Sequence, residues 1–344
     1  MKLFSENINS ILITGGSGFI GSHLISRLLR ETSFKIYNLD KINYASNLEV
    51  FHEYVNSNQY NFLKVDLFNI DDTKNAIKFI NPDLVFHLAA ESHVDKSISK
   101  PKEFIDSNII GTFNLLQALR THWELMSKNR KNNFRLIHVS TDEVFGSINE
   151  GFFFSEKSPY DPRSPYSATK AASDHLVKAW NNTYGFPAII TNSCNNFGPW
   201  QYPEKLIPVI INKALNSKAI PLYGDGQHVR DWIYVEDHVE ALIQVMLKGR
   251  LGDSYCIGGR QLKTNEEIVN VVCDYLDLYK KHNAPHIRFK KFVNDRAGHD
   301  LRYAIDNSKI INELNWAPKY NFFEAMNSTV KWYIDNHKFL NINY

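Results

Sequence analysis

Cysteine is scarce, with three residues in 344, Cys194, Cys256 and Cys273. They lie far apart, and no pair shows the spacing of a zinc or redox site, so they read as isolated thiols in a reducing compartment. Long apolar runs are missing, and no stretch reaches the length needed to cross a bilayer. The opening Met1–Ser10 is mostly polar and offers no export signal, so a cytoplasmic protein with no membrane partner is expected. An excess of one charge sign is lacking too: 39 basic against 37 acidic residues leave a net charge of +2. Without a concentrated cationic face, nucleic acid is not the expected partner. His282 and His286 are four apart, but Pro285 breaks a shared helical face and no carboxylate joins them. The sequence therefore points to no metal.

What is present is core material, 43% apolar and 13% aromatic. The first half alternates short apolar runs with helical patterns. Ile11–Ile13, Lys35–Leu39, Asn61–Val65, Leu84–Leu88, Arg135–Val139 and Ala188–Thr191 read as buried strands, separated by helix-like segments such as Phe19–Arg30, Asp72–Ile80 and Phe104–Met126. That rhythm predicts an α/β fold, a doubly wound (Rossmann) parallel sheet with helices on both faces. After Gly198 prolines and glycines break the rhythm, and a smaller C-terminal lobe is expected, with helices near Val235–Lys248, Glu266–Leu278 and Phe322–Asn336. The division is 1–198 for cofactor and 199–344 for substrate, a soft boundary with some strands returning to the sheet.

Gly15, Gly18 and Gly21 follow the first strand directly and open the first helix. Glycines there allow a tight turn and let backbone N–H groups approach a pyrophosphate at a helix N-terminus. Asp40 ends the second strand, about 20 residues past the last glycine, where a carboxylate binds ribose hydroxyls and repels a 2′-phosphate. NAD is thus favoured over NADP, a preference that the adjoining Lys41 weakens slightly. Asp66, at the end of the third strand, suits the adenine edge, and Ala89-Ala90 would let the backbone pass close to a dinucleotide.

Tyr166 and Lys170 are one helical turn apart, and a nearby ammonium would lower the phenol's pKa and make it a base. Thr141, Asp142 and Glu143 follow the fifth strand, at the edge where doubly wound sheets bind ligands. Two adjacent acids exceed what oxidation of an alcohol needs. They suit a reaction in which one carboxylate removes a proton next to a ketone and a carboxylic acid protonates a departing hydroxyl. An isolated Asp-Glu would more often cap a loop.

These motifs, with Ala-Ala-Glu-Ser-His-Val-Asp-Lys-Ser (89–97), Ser-Pro-Tyr-Ser-Ala-Thr-Lys (164–170), the 194–208 stretch from Cys-Asn-Asn-Phe to Leu-Ile-Pro, Arg-Asp-Trp-Ile-Tyr-Val-Glu-Asp-His (230–238) and Asp-Arg-Ala-Gly-His-Asp (295–300), resemble the extended short-chain dehydrogenase/reductase family. Within it the match is to the nucleotide-sugar 4,6-dehydratases, over Ile11 to about Asn336. The resemblance implies a retained NAD lined by Phe19, Ile20, Asp40, Lys41, Asp66, Leu67, Ala89, Ser107 and Asn196. It implies a nucleotide-sugar substrate, dTDP-glucose first, held by Ser92, Asn195, Lys205, Leu206, Pro221, Tyr223, Arg230, Asn265, Arg296 and His299. Tyr166, with Thr141 and Lys170, would take the C4 hydroxyl proton, Glu143 the C5 proton, and Asp142 would expel water from C6. Family members are homodimers, and the apolar faces of Phe104–Met126 and Ser167–Tyr184 could pair. The chain departs from the family at Phe145, Phe197 and Trp200, where tyrosine is usual, and at Ala297, where proline is usual. Two alternatives are an epimerase or decarboxylase of a UDP-sugar, which needs no acid pair, and a non-catalytic NAD or nucleotide-sugar sensor, which needs none of the four reactive side chains. UDP- or CDP-glucose also stays open as the dehydrated sugar.

Overall fold

The computed structural model describes residues 8–340. The polar opening Met1–Asn7 and residues 341–344 lie outside the described residues. Twelve strands occur among the described residues. They are β1 (Ser10–Thr14), β2 (Lys35–Asp40), β3 (Tyr60–Lys64), β4 (Leu84–His87), β5 (Arg135–Thr141), β6 (Ala188–Ser193), β7 (Asn195–Phe197), β8 (Ile220–Tyr223), β9 (Val229–Tyr234), β10 (Ser254–Ile257), β11 (Leu262–Thr264) and β12 (Lys290–Val293). Seven form one sheet in the order β10-β6-β5-β4-β1-β2-β3, with every neighbouring pair parallel. The order reverses between β1 and β4, which opens a crevice at the carboxyl ends of the strands. This is the doubly wound α/β fold.

Burial on both faces explains why the strands are continuous apolar runs: all five residues of β1 are buried, as are all four of β4. The Phe19–Glu31 helix covers one face with Leu24, Ile25, Leu28 and Leu29. The Gly111–Glu124 helix covers the other with Leu115, Leu116, Ala118 and Leu119. At about 25 cal/mol per Å² of apolar surface removed from water, such side chains contribute roughly 1.5–3 kcal/mol each.

Three boundaries differ from the sequence expectation, each for a physical reason. β5 and β6 run two residues further, because Ser140 pairs in register with Asn192 and Thr141 with Ser193. These residues are polar yet buried, so an apolar run ends too early. The expected Phe104–Met126 helix is broken by a π-helical turn at Ile105–Ile110 before Gly111–Glu124. There the buried Asn108 turns its side chain to the main chain of Glu91, accepting from its N–H at 2.8 Å and donating to its C=O at 3.0 Å. Pro208, read as a breaker, lies in the first turn of a Leu206–Leu215 helix, where a missing N–H costs nothing.

From β7 onward, three residues before the expected division at 198, the chain builds a three-stranded sheet, β11-β9-β7, and a two-stranded one, β12-β8. Their core is filled from the Leu206–Leu215, Asn265–Tyr279 and Phe322–Asp335 helices. Two later elements return to the large sheet: β10 pairs with β6, and the Val235–Lys248 helix buries Val239, Leu242 and Met246 in the first core. Among the described residues, no helix is long and apolar enough to cross a membrane.

Candidate active site

The glycine loop closes the crevice from below. Gly15 has φ +69°, and a Cβ there would meet the backbone N of Ala89 at 2.6 Å. A Cβ on Gly21 would strike the carbonyl oxygen of Gly15 at 2.5 Å. Only glycine fits either place. Gly18 caps the Phe19–Glu31 helix without any side-chain hydrogen bond, so the first-turn N–H groups are left for an anion. Asp40 is buried at the end of β2. Its Oδ2 accepts from Ser17 N at 3.1 Å, and its Oδ1 from Ile42 N at 2.9 Å and Ser46 Oγ at 3.1 Å. Burial raises its pKa, and these hydrogen bonds oppose the rise. Lys41 points its ammonium to Glu91, 2.7 Å away, which offsets the cationic pull toward a 2′-phosphate. All the expected cofactor residues, from Gly15 through Ser107 and Asn196 to Lys170, line one continuous cleft. A bare helix N-terminus, two glycines too crowded for a Cβ and a buried strand-end carboxylate fit a dinucleotide such as NAD.

The same cleft contains Thr141, Asp142, Glu143, Tyr166 and Lys170. β5 ends at Thr141, and its Oγ1 accepts from Glu143 N at 3.2 Å, turning the chain into a short helical turn at Asp142–Phe145. The next residue, Gly146, has φ +80°, and its Cβ position is taken by the carbonyl of Asp161 at 2.5 Å. Ser164 caps the Pro165–Tyr184 helix through a capping box with Ser167, so Tyr166 and Lys170 enter the site from the first turns of a fixed helix. Lys170 Nζ donates to the carbonyl of Val139 at 2.9 Å.

Electrostatics split the two acids. Asp142 is 1% exposed, and its Oδ2 has no hydrogen-bond partner. Burial first, then the negative charges of Glu143 and Asp231, push its pKa well above the carboxylate range. Burial raises Glu143 as well, and Arg296, Arg230 and Lys205 oppose the rise without cancelling it. Asp142 is thus the better proton donor of the two and Glu143 the better acceptor. The Tyr166 phenol departs from expectation. Burial and the Glu143 charge raise its pKa, with only a hydrogen bond from Thr141 opposing them. Lys170 is itself pushed down to about 8 by burial, so its ammonium is a weak lever on the phenol.

Of the expected substrate residues, Ser92, Thr141, Asn195 and Lys205 line the cleft. Arg230 is buried beneath Tyr303 and donates to the carbonyl of Asp300 at 2.8 Å. Tyr223 Oη and Arg296 Nη1 converge on Asp95, at 3.3 and 3.4 Å. Tyr223, Arg230 and Arg296, like Leu206, Pro221, Asn265 and His299, lie outside the cleft lining, Leu206 and Asn265 at the starts of their helices and Pro221 within β8. His286, unlike the expectation of no carboxylate nearby, is bound by Asp277, which accepts from its backbone N at 2.8 Å and from its ring.

The aromatic departures are absorbed by packing. Phe145 stacks on Phe154 at 5.3 Å, Phe197 meets Phe322 at 5.5 Å, and Trp200 meets Trp332 at 4.7 Å. Sequence reasoning missed Asp174, one further turn along the helix from Lys170. Asp174 is fully buried, accepts from Ser140 and Tyr160, both at 2.9 Å, and faces His138 at 3.1 Å. The i, i+4, i+8 series Tyr166, Lys170, Asp174 was visible in the sequence. Glu204 was missed too, and no local pattern marks it. It joins Tyr44 at 3.1 Å and Lys96 at 3.0 Å, bridging the rims of the cleft.

The family model described as GDP-mannose 4,6 dehydratase matches residues 12–329. A dTDP-glucose 4,6-dehydratase of Haemophilus influenzae is 48% identical over 333 residues, covering 95% of this chain and 98% of that protein. The crystal structure of a dTDP-glucose 4,6-dehydratase from Streptomyces venezuelae with NAD bound superposes with a TM-score of 0.89 at 37% identity, covering 97% of this chain and 100% of that one. A Bacillus anthracis dTDP-glucose 4,6-dehydratase in complex with NAD gives 0.84 at 40% identity, covering 96% and 98%. The chain belongs to the nucleotide-sugar 4,6-dehydratase family, on its dTDP-glucose 4,6-dehydratase branch.

Proposed function

We infer that the protein is an NAD-dependent hydro-lyase that converts dTDP-glucose to dTDP-4-keto-6-deoxyglucose. The observation that carries this reading is the pair of acids in the cleft, a buried, half-unsatisfied Asp142 beside a Glu143 that faces three cations. Bound NAD would supply the acceptor for the C4 hydride and would give the same hydride back to C6 once water has left, so that the cofactor ends oxidised. Tyr166, steadied by Thr141, takes the proton of the C4 hydroxyl. Lys170, with one donor committed to Val139, has others left to orient the cofactor. Glu143 removes the C5 proton made acidic by the C4 ketone, and Asp142 gives its proton to the C6 hydroxyl as water leaves. Glu143 then returns a proton to C5. Arg230 and Arg296 hold the diphosphate, and their charges favour the carboxylate form of Glu143. An epimerase needs no such acid pair, and a sensor needs none of these groups.

The protein acts as a homodimer in the cytoplasm in this account. Ile105, Ile110 and Phe113 are exposed apolar residues of the region expected to pair, and Cys194, Cys256 and Cys273 are all free and buried. Residues 1–198 serve the cofactor and most of 199–344 the nucleotide sugar. Turnover of dTDP-, UDP- and CDP-glucose side by side tests the reading, with a keto-sugar product from dTDP-glucose expected to form fastest. A UDP- or CDP-sugar preference refutes the assignment of the base, and no keto-sugar from any of them refutes the dehydration.

A further inference from the structure

Beside the arginine arm of the site lies a cluster of which the substrate assignment uses only His299. His228, just before β9, is 2% exposed, and neither ring nitrogen makes a well-aligned hydrogen bond. Its Nε2 lies 3.1 Å from Asp295 Oδ2, while His299 Nδ1 lies 2.7 Å from Asp295 Oδ1. The two imidazoles stack at 3.7 Å, and one donor atom from each of the three residues falls within 4.8 Å of the others.

We propose that His228, Asp295 and His299 form a binding site for a divalent transition-metal ion of the zinc, cobalt or nickel class. Two imidazole nitrogens and one carboxylate are the ligand set such ions take, with a fourth position left for water. Bonds of about 2.0–2.2 Å to one ion span donors at these separations after small side-chain rotations. Asp295 is 39% exposed, and its two oxygens already face the two rings. Burial gives His228 the reason to bind: cut off from water, its ring has only the Asp295 carboxylate, 3.1 Å from Nε2, to face, and its Nδ1 has no hydrogen-bond partner.

Arg296 lies three residues from His299, and both face the rim where Tyr223 and Asp95 meet. Resting on the substrate assignment above, an ion held here engages His299 and Asp295 and so competes with the nucleotide diphosphate.

The test is a Co2+ titration of the full-length, NAD-loaded protein carrying no histidine tag, followed by visible absorption. One equivalent of Co2+ is expected to give a d–d band that dTDP diminishes. His228→Asn and the exposed-site change Asp295→Asn, each checked for native circular dichroism, are expected to abolish it. Absence of the band in the unmodified protein, or its survival in either folded variant, overturns the site. A band insensitive to dTDP overturns the competition. Because the titration needs no turnover, a protein that binds Co2+ but leaves dTDP-glucose unchanged upholds the ion site and refutes the function above instead.

Discussion

Glu143→Gln separates the two halves of the proposed chemistry. The substitution keeps the volume of the side chain, and the main-chain bond from residue 143 N to Thr141 Oγ1, 3.2 Å, survives it. What disappears is a proton acceptor and a negative charge. Loss of a positioned general base costs on the order of 10²–10⁴ in rate, or about 3–5 kcal/mol of barrier at 1.36 kcal/mol per decade. The lost charge acts in the opposite direction on the phenol, because Glu143 is the largest electrostatic contribution raising the Tyr166 pKa. Removing it lowers that pKa. A base works in its deprotonated form, so the acid limb of the C4 oxidation moves to lower pH. The variant is therefore expected to accumulate reduced nicotinamide on mixing with dTDP-glucose, over a wider pH range than the parent, while keto-sugar formation collapses. Stopped-flow absorbance of the reduced cofactor and chromatography of the product read both. Product at the parent rate, or an oxidation limb displaced to higher pH, refutes the assignment of Glu143 and the electrostatic argument respectively.

Three further outcomes are expected. In Lys170→Met the buried ammonium is gone. In the parent its pKa falls from 10.5 unfolded to about 8 folded, so the unfolded chain binds more protons between those values and parental stability rises with pH there. The parent should gain up to roughly 3 kcal/mol on the variant from pH 8 to 10.5 in cofactor-free denaturant titrations, and a gap independent of pH contradicts this. Gly15→Ala forces φ +69° on a residue with a Cβ 2.6 Å from Ala89 N. A loss of about 2–5 kcal/mol and of bound NAD is expected from left-handed strain and overpacking, measured by thermal melting and released nucleotide; a native melting point refutes it. Tyr166→Phe should lower the C4 oxidation rate by about 10²–10⁴, and parental accumulation of reduced cofactor would show that another group takes the hydroxyl proton.

Much of the fold was legible because strands buried on both faces must be apolar and glycines mark the turns that a side chain would block. The glycine loop, Asp40 and the Tyr166–Lys170 pair follow from those two rules. The carboxyl ends of β5 and β6 were not legible, since Ser140, Thr141, Asn192 and Ser193 are polar residues buried by pairing with each other. The π-turn at Ile105–Ile110 escaped because its cause is a tertiary one, the bonding of Asn108 to Glu91 across the site. Burial also reversed one electrostatic inference. A lysine one turn away lowers a phenol's pKa in water, but here both groups are desolvated and Glu143 faces the phenol, so Tyr166 is raised. The pairing of Asp142 with Glu143 was plain in the sequence, whereas the proposed division into acid and base draws on Arg230, Arg296 and Lys205, which lie between 62 and 153 residues beyond Glu143 along the chain.

The most direct test of the central claim is turnover of dTDP-glucose in deuterated water with the product analysed by proton NMR. If Glu143 removes and returns the C5 proton around the loss of water, dTDP-4-keto-6-deoxyglucose forms with deuterium at C5. A 4-keto-6-deoxy product that retains protium at C5, or a C4-epimerised sugar in its place, contradicts the account.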